Sequence, residues 1–179
     1  MIVTVEEPKR SMPEDMAKDV DDVLLAELIA GVTETAEIFT HTYLDYGTYA
    51  ELFDGKSGVT VLPLKGIYIW AIDSVEFSDV EQSSTWFSIY NELGGVYSKY
   101  GFPAGTANVK ITYKAGYSTS ETGKGAPDGL KRAIINEVVL QYDYLKSKSR
   151  TGEQIVDLKK DFLHSGSEKY FNRIKRRII

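Results

Sequence analysis

The sequence predicts an α+β fold, in which a helical core carries an inserted small antiparallel β-sheet and a C-terminal helical tail. Two long helices, at about 21–42 and 127–148, are predicted because their apolar residues recur at helical spacing. The region between them, about 43–117, is instead rich in short runs of β-branched and aromatic residues. These observations divide the chain into a domain over 1–148 and a tail over 149–179, which ends in a short basic amphipathic helix.

Composition and charge narrow the class of protein. The chain has 179 residues, of which 42% are hydrophobic and 26% charged, and it contains no cysteine. This is the balance of an ordinary globular domain without disulfides. No signal peptide is expected, because the start MIVTVEEPKR has no basic region followed by an apolar run. No membrane span is expected either, because no apolar stretch approaches about 18 residues. Residues 1–54 hold 13 acidic and 3 basic residues, and residues 126–179 hold 7 acidic and 12 basic ones. Solvated faces produce such a gradient, and so does a subunit whose ends complement each other or different neighbours.

The first long helix is predicted from the residues that follow Asp21. Asp21 or Asp22 can cap its N-terminus, where acidic side chains favour the helix dipole. Gly31 lies in the middle and costs up to about 1 kcal/mol relative to alanine, unless a neighbouring helix packs close there. Its apolar stripe consists of Leu25, Leu28, Val32, Ala36 and Phe39.

Five or six short strands are predicted between the helices. Two runs, Tyr49–Phe53 and Val59–Leu62, flank a glycine-containing five-residue loop and are predicted to form a hairpin. Trp86–Tyr90 and Val96–Tyr100 are predicted to form a second hairpin. The run Val109–Tyr113 alternates between apolar and polar residues, which is typical of a strand with one buried face.

The second long helix begins beside Pro127, which suits the first turn because its missing N–H costs nothing there. Its apolar stripe consists of Leu130, Ala133, Ile134, Val138, Tyr142 and Leu145. The opposite face is expected to meet water and carries Lys131, Arg132, Glu137, Asp143 and Lys146. We expect the two long helices to pack together and to close the core around the β insertion.

No catalytic, cofactor-binding or metal-binding residues are predicted. Neither histidine belongs to a metal-binding spacing, and no nucleophile motif or phosphate-binding loop of the required spacing occurs. The chain is therefore predicted not to be an enzyme, and the family resemblance described below implies that it needs no cofactor. Its twelve tyrosines suit half-buried sheet faces, protein–protein contacts or, as a third reading, a sugar-binding platform.

The tail is the predicted partner-binding segment. A helix this short is marginal in water on its own, so its apolar face is expected to dock. It can pack on its own domain, on another protein, or on nucleic acid or a membrane, although the acidic remainder of the chain argues against a duplex binder. The predicted partner-binding residues are Lys169, Tyr170, Phe171, Arg173, Ile174, Lys175, Arg176, Arg177, Ile178 and Ile179.

Several segments, together with their order along the chain, resemble the head–tail connector proteins of tailed bacteriophages and related prophage-like elements. These proteins are also called adaptor or head-completion proteins. The most specific is the strand ITYKAGY, followed after a loop by P-x-x-L-K-x-A-I. The resemblance covers roughly 1–148, and the longer β region and the tail depart from the family's pattern. The other segments are MIVTVEE, DDVLLAELIAGVTETAEIFTHTY, YAELFDGKSGVTVLPL and IDSVEF.

The resemblance implies a helical core with a β insertion and a structural role in the virion. Such proteins form a roughly dodecameric ring below the portal, at the neck of the capsid vertex, which extends the DNA channel and joins capsid to tail. The implied partners are the portal protein, a stopper or tail-completion protein and further copies of the chain. DNA is implied only as cargo passing through the channel, and no membrane contact is implied. Synthesis is expected in the cytoplasm of the bacterial host.

A different class of function is kept as the alternative. The aromatic β region would suit a glycan- or receptor-binding module of a phage or bacterial protein.

Under the connector hypothesis, the basic tail Glu168–Ile179 docks on the portal or on a neighbouring subunit.

Overall fold

The structure, a computed structural model, describes residues 2–90, 94–119, 125–151 and 165–175. The chain divides into two compact units. A β unit comprises the continuous stretch Thr42–Tyr117, and a helical unit comprises the residues before and after it.

The helical unit is built from segments at both ends of the chain. Two short helices precede the first long helix, and a helix near the C-terminus follows the second. In the described ranges these helices are α1 (Glu6–Ser11), α2 (Glu14–Ala17), α3 (Asp22–Thr40), α4 (Asp128–Thr151) and α5 (Ser165–Ile174).

Helix α3 begins and ends for identifiable reasons. The Asp21 side chain accepts hydrogen bonds from the backbone N–H groups of Val23 and Leu24, at 3.0 and 3.2 Å, and so caps the N-terminus. His41 follows the helix with φ of 54°, a left-handed conformation that ends the helical path. The buried side of α3 packs against α4 and includes Leu25, Ile29, Val32 and Ala36.

Helix α4 buries all six predicted stripe residues. Its side chains also tie the distant chain ends together, because Tyr142 Oη accepts a hydrogen bond from the Asp21 N–H at 3.1 Å and Lys131 pairs with Glu7 at 3.4 Å. The expectation that Glu137 faces water is wrong, since this side chain is fully buried and accepts a hydrogen bond from Gln141 at 3.2 Å. At about 100° per residue, position 137 lies inside the arc of the buried stripe.

The β unit contains two antiparallel sheets. The four-stranded sheet has the order β1-β7-β3-β4, and the three-stranded sheet has the order β2-β6-β5. In the described ranges the strands are β1 (Gly47–Gly55), β2 (Val61–Pro63), β3 (Ile69–Phe77), β4 (Val80–Glu81), β5 (Phe87–Tyr90), β6 (Gly95–Ser98) and β7 (Gly105–Ala115).

Strand β7 organises the larger sheet. It pairs with β1 on one edge and with β3 on the other, in registers that include Tyr49↔Tyr113 and Val75↔Ile111. Val109, Ile111 and Tyr113 are fully buried, which confirms the predicted alternation. Gly116 then leaves the strand with φ of 96°, and a Cβ there would lie 2.0 Å from the backbone oxygen of Asp45. Only glycine fits this approach.

The prediction of a helical core with a small inserted sheet is wrong. The fold is mixed α/β, and the strands, not the helices, dominate its core. Residues from both sheets, such as Val96 of β6 and Ile111 of β7, share one buried apolar cluster. The physical reason is that a long strand paired on both edges, with a second sheet over its apolar face, buries that face without help from helices.

One of the two predicted hairpins is also wrong. Strand β1 pairs with β7 and β2 pairs with β6, so the runs on either side of the loop after residue 53 belong to different sheets. The second predicted hairpin is confirmed, since β5 and β6 are antiparallel with Phe87 opposite Ser98. The nine-residue β1 finds a long partner in β7, whereas β2 has only three residues to offer.

Candidate interaction surfaces

Helix α5 docks on α4 of its own unit. Phe171 has no exposed surface, and the Ser167 Oγ donates a hydrogen bond to the backbone oxygen of Ala133 at 3.2 Å. Tyr170 lies so close to Gly129 that a Cβ at that glycine would come within 2.6 Å of the tyrosine ring. The apolar side of this helix is therefore used inside the chain, and Phe171 is not available to a partner.

The opposite side of α5 is basic and exposed. Lys169 and Arg173 lie four residues apart on one face, both exposed, and neither forms an ion pair with another of the described residues. Lys175 is also exposed, and its Nζ lies 4.6 Å from the centre of the Phe39 ring. We call Lys169 and Arg173 the basic face of α5.

Five more of the predicted partner-binding residues lie at the end of α5 or after it. Ile174 lies in the last turn of α5. Four further predicted partner-binding residues lie outside the described ranges, and partner binding by the tail stays a prediction. These four are Arg176, Arg177, Ile178 and Ile179.

The outward side of α3 is a surface that the sequence reading missed. Two large apolar side chains on it, Val23 and Ile38, are 70% and 68% exposed. Six exposed residues lie within an arc of roughly 100° at helical spacing, which was the signal available in the sequence. This outer face of α3 consists of Val23, Glu27, Ala30, Gly31, Glu34 and Ile38.

Gly31 makes this outer face unusual. A Cβ placed on Gly31 would meet nothing within 4 Å, so no neighbouring helix of the described chain packs close to it. Its cost of about 1 kcal/mol relative to alanine is therefore not offset by packing within the described residues. Glu27 and Glu34, on either side of it, form no ion pair or hydrogen bond with other described residues. The outer face of α3 is thus acidic, with small residues in its middle and large apolar residues near both ends.

A second exposed surface lies in the β unit. Trp86, in the 3-10 turn Ser84–Trp86, packs edge-on against Tyr100 with ring centres 5.2 Å apart. Tyr100 is 67% exposed, and Lys99 Nζ lies 5.4 Å from the centre of its ring. Exposed aromatic rings beside a cation are typical of protein–protein contacts. We call Trp86, Lys99 and Tyr100 the aromatic cluster.

The buried polar pair of the β unit has a structural role. Tyr113 Oη donates a hydrogen bond to the Glu51 carboxylate and accepts one from the Gly66 N–H at 2.9 Å. Burial raises the pKa of the Tyr113 hydroxyl above its ordinary value of 10.0, and the hydrogen bond to the Glu51 carboxylate and its charge raise it further. The Lys65 N–H also donates to Glu51, at 2.8 Å. These bonds fasten the segment between β2 and β3 to the larger sheet.

The described part of the chain was also compared with the features of pockets, metal sites and membrane spans. A groove of about 220 Å³ runs between β3 and β5, lined by residues such as Ile72, Glu81 and Phe87. No group of three or more potential metal-ligating side chains comes together among the residues that the structure describes. In the same part of the chain, no helix combines the length and the apolar character that crossing a membrane requires.

Comparison with known proteins finds similarity in structure. No protein-family model matches the sequence, and no curated protein matches it either. A chain from the neck of an empty gene transfer agent (GTA) particle, computed with C6 symmetry, matches with a TM-score of 0.71 and 13% identity. The match covers 99% of this chain and 92% of that one.

Two further solved structures agree with this match. A chain from the neck of a native GTA particle, computed with C12 symmetry, has a TM-score of 0.65 and 11% identity, over 98% of this chain and 90% of that one. A chain from the virion of a native gene transfer agent (GTA) particle has a TM-score of 0.69 and 12% identity, over 99% and 92%. At this level of identity, the similarity establishes a common fold over nearly the whole chain.

Proposed function

We propose that the protein is a structural component of the neck of a phage-like particle. The observation that carries this proposal is the similarity in fold, over 99% of this chain and 92% of its counterpart, to a chain from the neck of such a particle. Similarity over nearly the full length of both chains supports a common overall role more than similarity of one module would. The sequence resemblance to head–tail connector proteins points in the same direction.

At a finer level, we propose that copies of the chain form a ring below the portal, which extends the DNA channel and meets a stopper or tail-completion protein. The fold's counterparts come from neck structures computed with C6 and C12 symmetry, which supports a ring of roughly twelve copies. A closed ring joins one face of each subunit to a different face of the next. The acidic start and basic end of the sequence suit such an arrangement.

The tail is proposed to contact the portal or a neighbouring copy. Because Phe171 is buried in its own unit, the contact would use the basic face of α5 and residues beyond it. Deleting 165–179 would remove Phe171 as well and would expose the α4 surface that it covers. Reversing the charges of Lys169 and Arg173 is therefore the cleaner way to disturb binding, since both side chains are exposed.

Assembly of the full chain tests the proposal. The protein would be purified and examined by mass photometry and electron microscopy, alone and with the portal protein of the same particle. We expect rings with a central channel, either free or bound coaxially to the portal. A chain that stays monomeric and does not bind the portal, at concentrations well above micromolar, would contradict the neck function.

A second candidate function is favoured by the aromatic cluster. Exposed Trp86 and Tyr100 could stack on a sugar ring in a glycan-binding module. Titrating oligosaccharides while following tryptophan fluorescence tests this, with Trp86→Phe as the variant that would lose the response. A fluorescence change at millimolar sugar, together with failure to form rings, would favour this function over the neck role.

A further inference from the structure

We propose that the outer face of α3 on one copy binds the basic face of α5 on the next copy. The inference rests on the proposed ring and specifies which surfaces of the helical unit join its subunits. Both surfaces are exposed in the single chain, and they carry opposite charges.

The first argument is shape. Ala30 and Gly31 leave a shallow site in the middle of the outer face of α3, where another helix can approach closely. Val23 and Ile38, near the two ends of the same face, are 70% and 68% exposed. Large exposed apolar side chains around a close-approach site are the arrangement expected of a covered helix face.

The second argument is charge. No basic residue occurs within α3, and Glu27 and Glu34 lie on its outer face about 10 Å apart along the axis. On α5, Lys169 and Arg173 lie about 6 Å apart along the axis, and their long flexible side chains cover the difference. None of these four side chains forms an ion pair with another of the described residues.

The third argument identifies the occupant. One chain carries both an acidic, shallow face and a basic face, so a second copy supplies the complement without any other protein. Two different faces that recognise each other make a head-to-tail contact, and a head-to-tail contact that closes makes a ring. The charge gradient of the sequence, acidic before residue 54 and basic after residue 126, then has a function in assembly.

Charge reversal on each face separately provides the test. One variant carries Glu27→Lys and Glu34→Lys, and the other carries Lys169→Glu and Arg173→Glu. In the first variant, both faces are basic, and in the second both are acidic. Each variant alone should need on the order of tenfold more protein to assemble, or should fail to form rings, because like charges now meet across the contact.

Mixing the two variants gives the decisive observation. In a one-to-one mixture, the basic α3 face of the first variant meets the acidic α5 face of the second, and the remaining faces also pair with opposite charge. We therefore expect the mixture to recover rings in which the two variants alternate, detectable by native mass spectrometry. Loss of assembly in each variant without recovery on mixing would overturn the proposal, and so would normal assembly of either variant alone.

A change in bulk at Gly31 tests the shape argument independently. Gly31→Arg should raise the melting temperature by about 2–4 °C, because an exposed helical glycine is replaced by a good helix former. It should also prevent ring formation, since a long cationic side chain then occupies the close-approach site. The matched control is Asn136→Arg, which places the same side chain on the exposed face of α4 and should leave assembly unchanged.

The outcomes separate this inference from the proposed function. If the wild-type protein forms rings and Gly31→Arg does so equally well, the α3 contact is wrong while the neck function stands. If the wild-type protein forms no ring, alone or with the portal, the ring itself is wrong and the contact fails with it.

Discussion

The buried residues of the β unit come from one continuous stretch, Thr42–Tyr117, whereas those of the helical unit come from both ends of the chain. In the β unit, two sheets share an apolar cluster and β7 pairs along both edges. In the helical unit, Tyr142 of α4 bonds to Asp21, which is 121 residues away, and Phe171 of α5 is fully buried. The β unit therefore forms its core within one stretch of chain, whereas the core of the helical unit depends on segments from the two ends of the chain coming together.

This difference has a consequence for function. Two surfaces are proposed to join copies of the chain, the outer face of α3 and the basic face of α5. Both lie on the helical unit, which is built from the two ends of the chain. Because the buried Phe171 holds α5 in position, binding of a partner to α5 also depends on Phe171. Substitutions that remove single contacts should therefore disturb the helical unit more than comparable substitutions disturb the β unit.

The largest effect is expected from Phe171→Ala. The substitution empties a fully buried site between α5 and α4 and should lower the free energy of unfolding by about 3–5 kcal/mol. Urea denaturation followed by far-UV circular dichroism measures the loss, and limited proteolysis should cut the released segment. The neighbouring exposed residue provides the control, since Asn172→Ala should change stability by less than about 0.5 kcal/mol. Equal stability of the two variants would show that α5 does not close the helical unit.

The corresponding deletion in the β unit is Ile111→Ala. Ile111 is fully buried in the cluster shared by both sheets, so we expect a loss of about 2–5 kcal/mol. Ile111→Val, measured in the same urea titration, should cost about 0.5–1.5 kcal/mol. A larger loss for Ile111→Ala than for Phe171→Ala would reverse the comparison between the units.

A smaller, pH-dependent effect is expected from Tyr113→Phe. Without the hydroxyl, the Glu51 carboxylate loses a donor and the Gly66 N–H loses its acceptor, which should cost about 1–3 kcal/mol at neutral pH. Because burial raises the Tyr113 pKa above 10.0, its stabilising contribution is complete below pH 10 and is lost as the pH rises further. The difference in stability between wild type and variant should therefore shrink above pH 10. A difference that stays constant between pH 8 and pH 11 would contradict this role for the buried hydroxyl.

The smallest effect is expected from Asp21→Ala at the start of α3. The substitution removes the side chain that accepts the N–H groups of Val23 and Leu24, and it should cost about 1 kcal/mol. Asp21→Asn, which keeps a capping oxygen, should restore most of the loss in the same thermal melt. If alanine and asparagine behaved alike, charge at the helix N-terminus would matter more than the capping bond.

Local patterns predicted the long helices well, because a helix leaves a repeating signature in the residues that form it. All six residues of the second predicted stripe are buried, and the predicted cap at Asp21 forms. The same reasoning placed Glu137 on the water-facing side, where a charge is usual, although its angle on the helix lies within the buried arc. Residue type was preferred there to position, and position was the better guide.

Strand pairing was less predictable, because it joins residues that are distant in the sequence. A loop rich in glycine suggested a hairpin between β1 and β2, but each strand pairs with a partner more than thirty residues away. The outer face of α3 was similarly missed. An apolar stripe predicts the side of a helix that faces a core, but residue spacing alone does not show that the opposite side is left uncovered.

Side-chain periodicity and composition within short windows were enough to locate the helices and most strands and the apolar faces of α4 and β7. They also show that acidic and basic residues are concentrated at opposite ends of the chain. Three other properties became visible in the folded chain alone: strands dominate the core, Phe171 is buried, and Gly31 faces open space. Burial and pairing depend on which distant segments meet, and a short window does not contain that information. Residue spacing shows which side chains share a helix face, but not whether another segment covers that face.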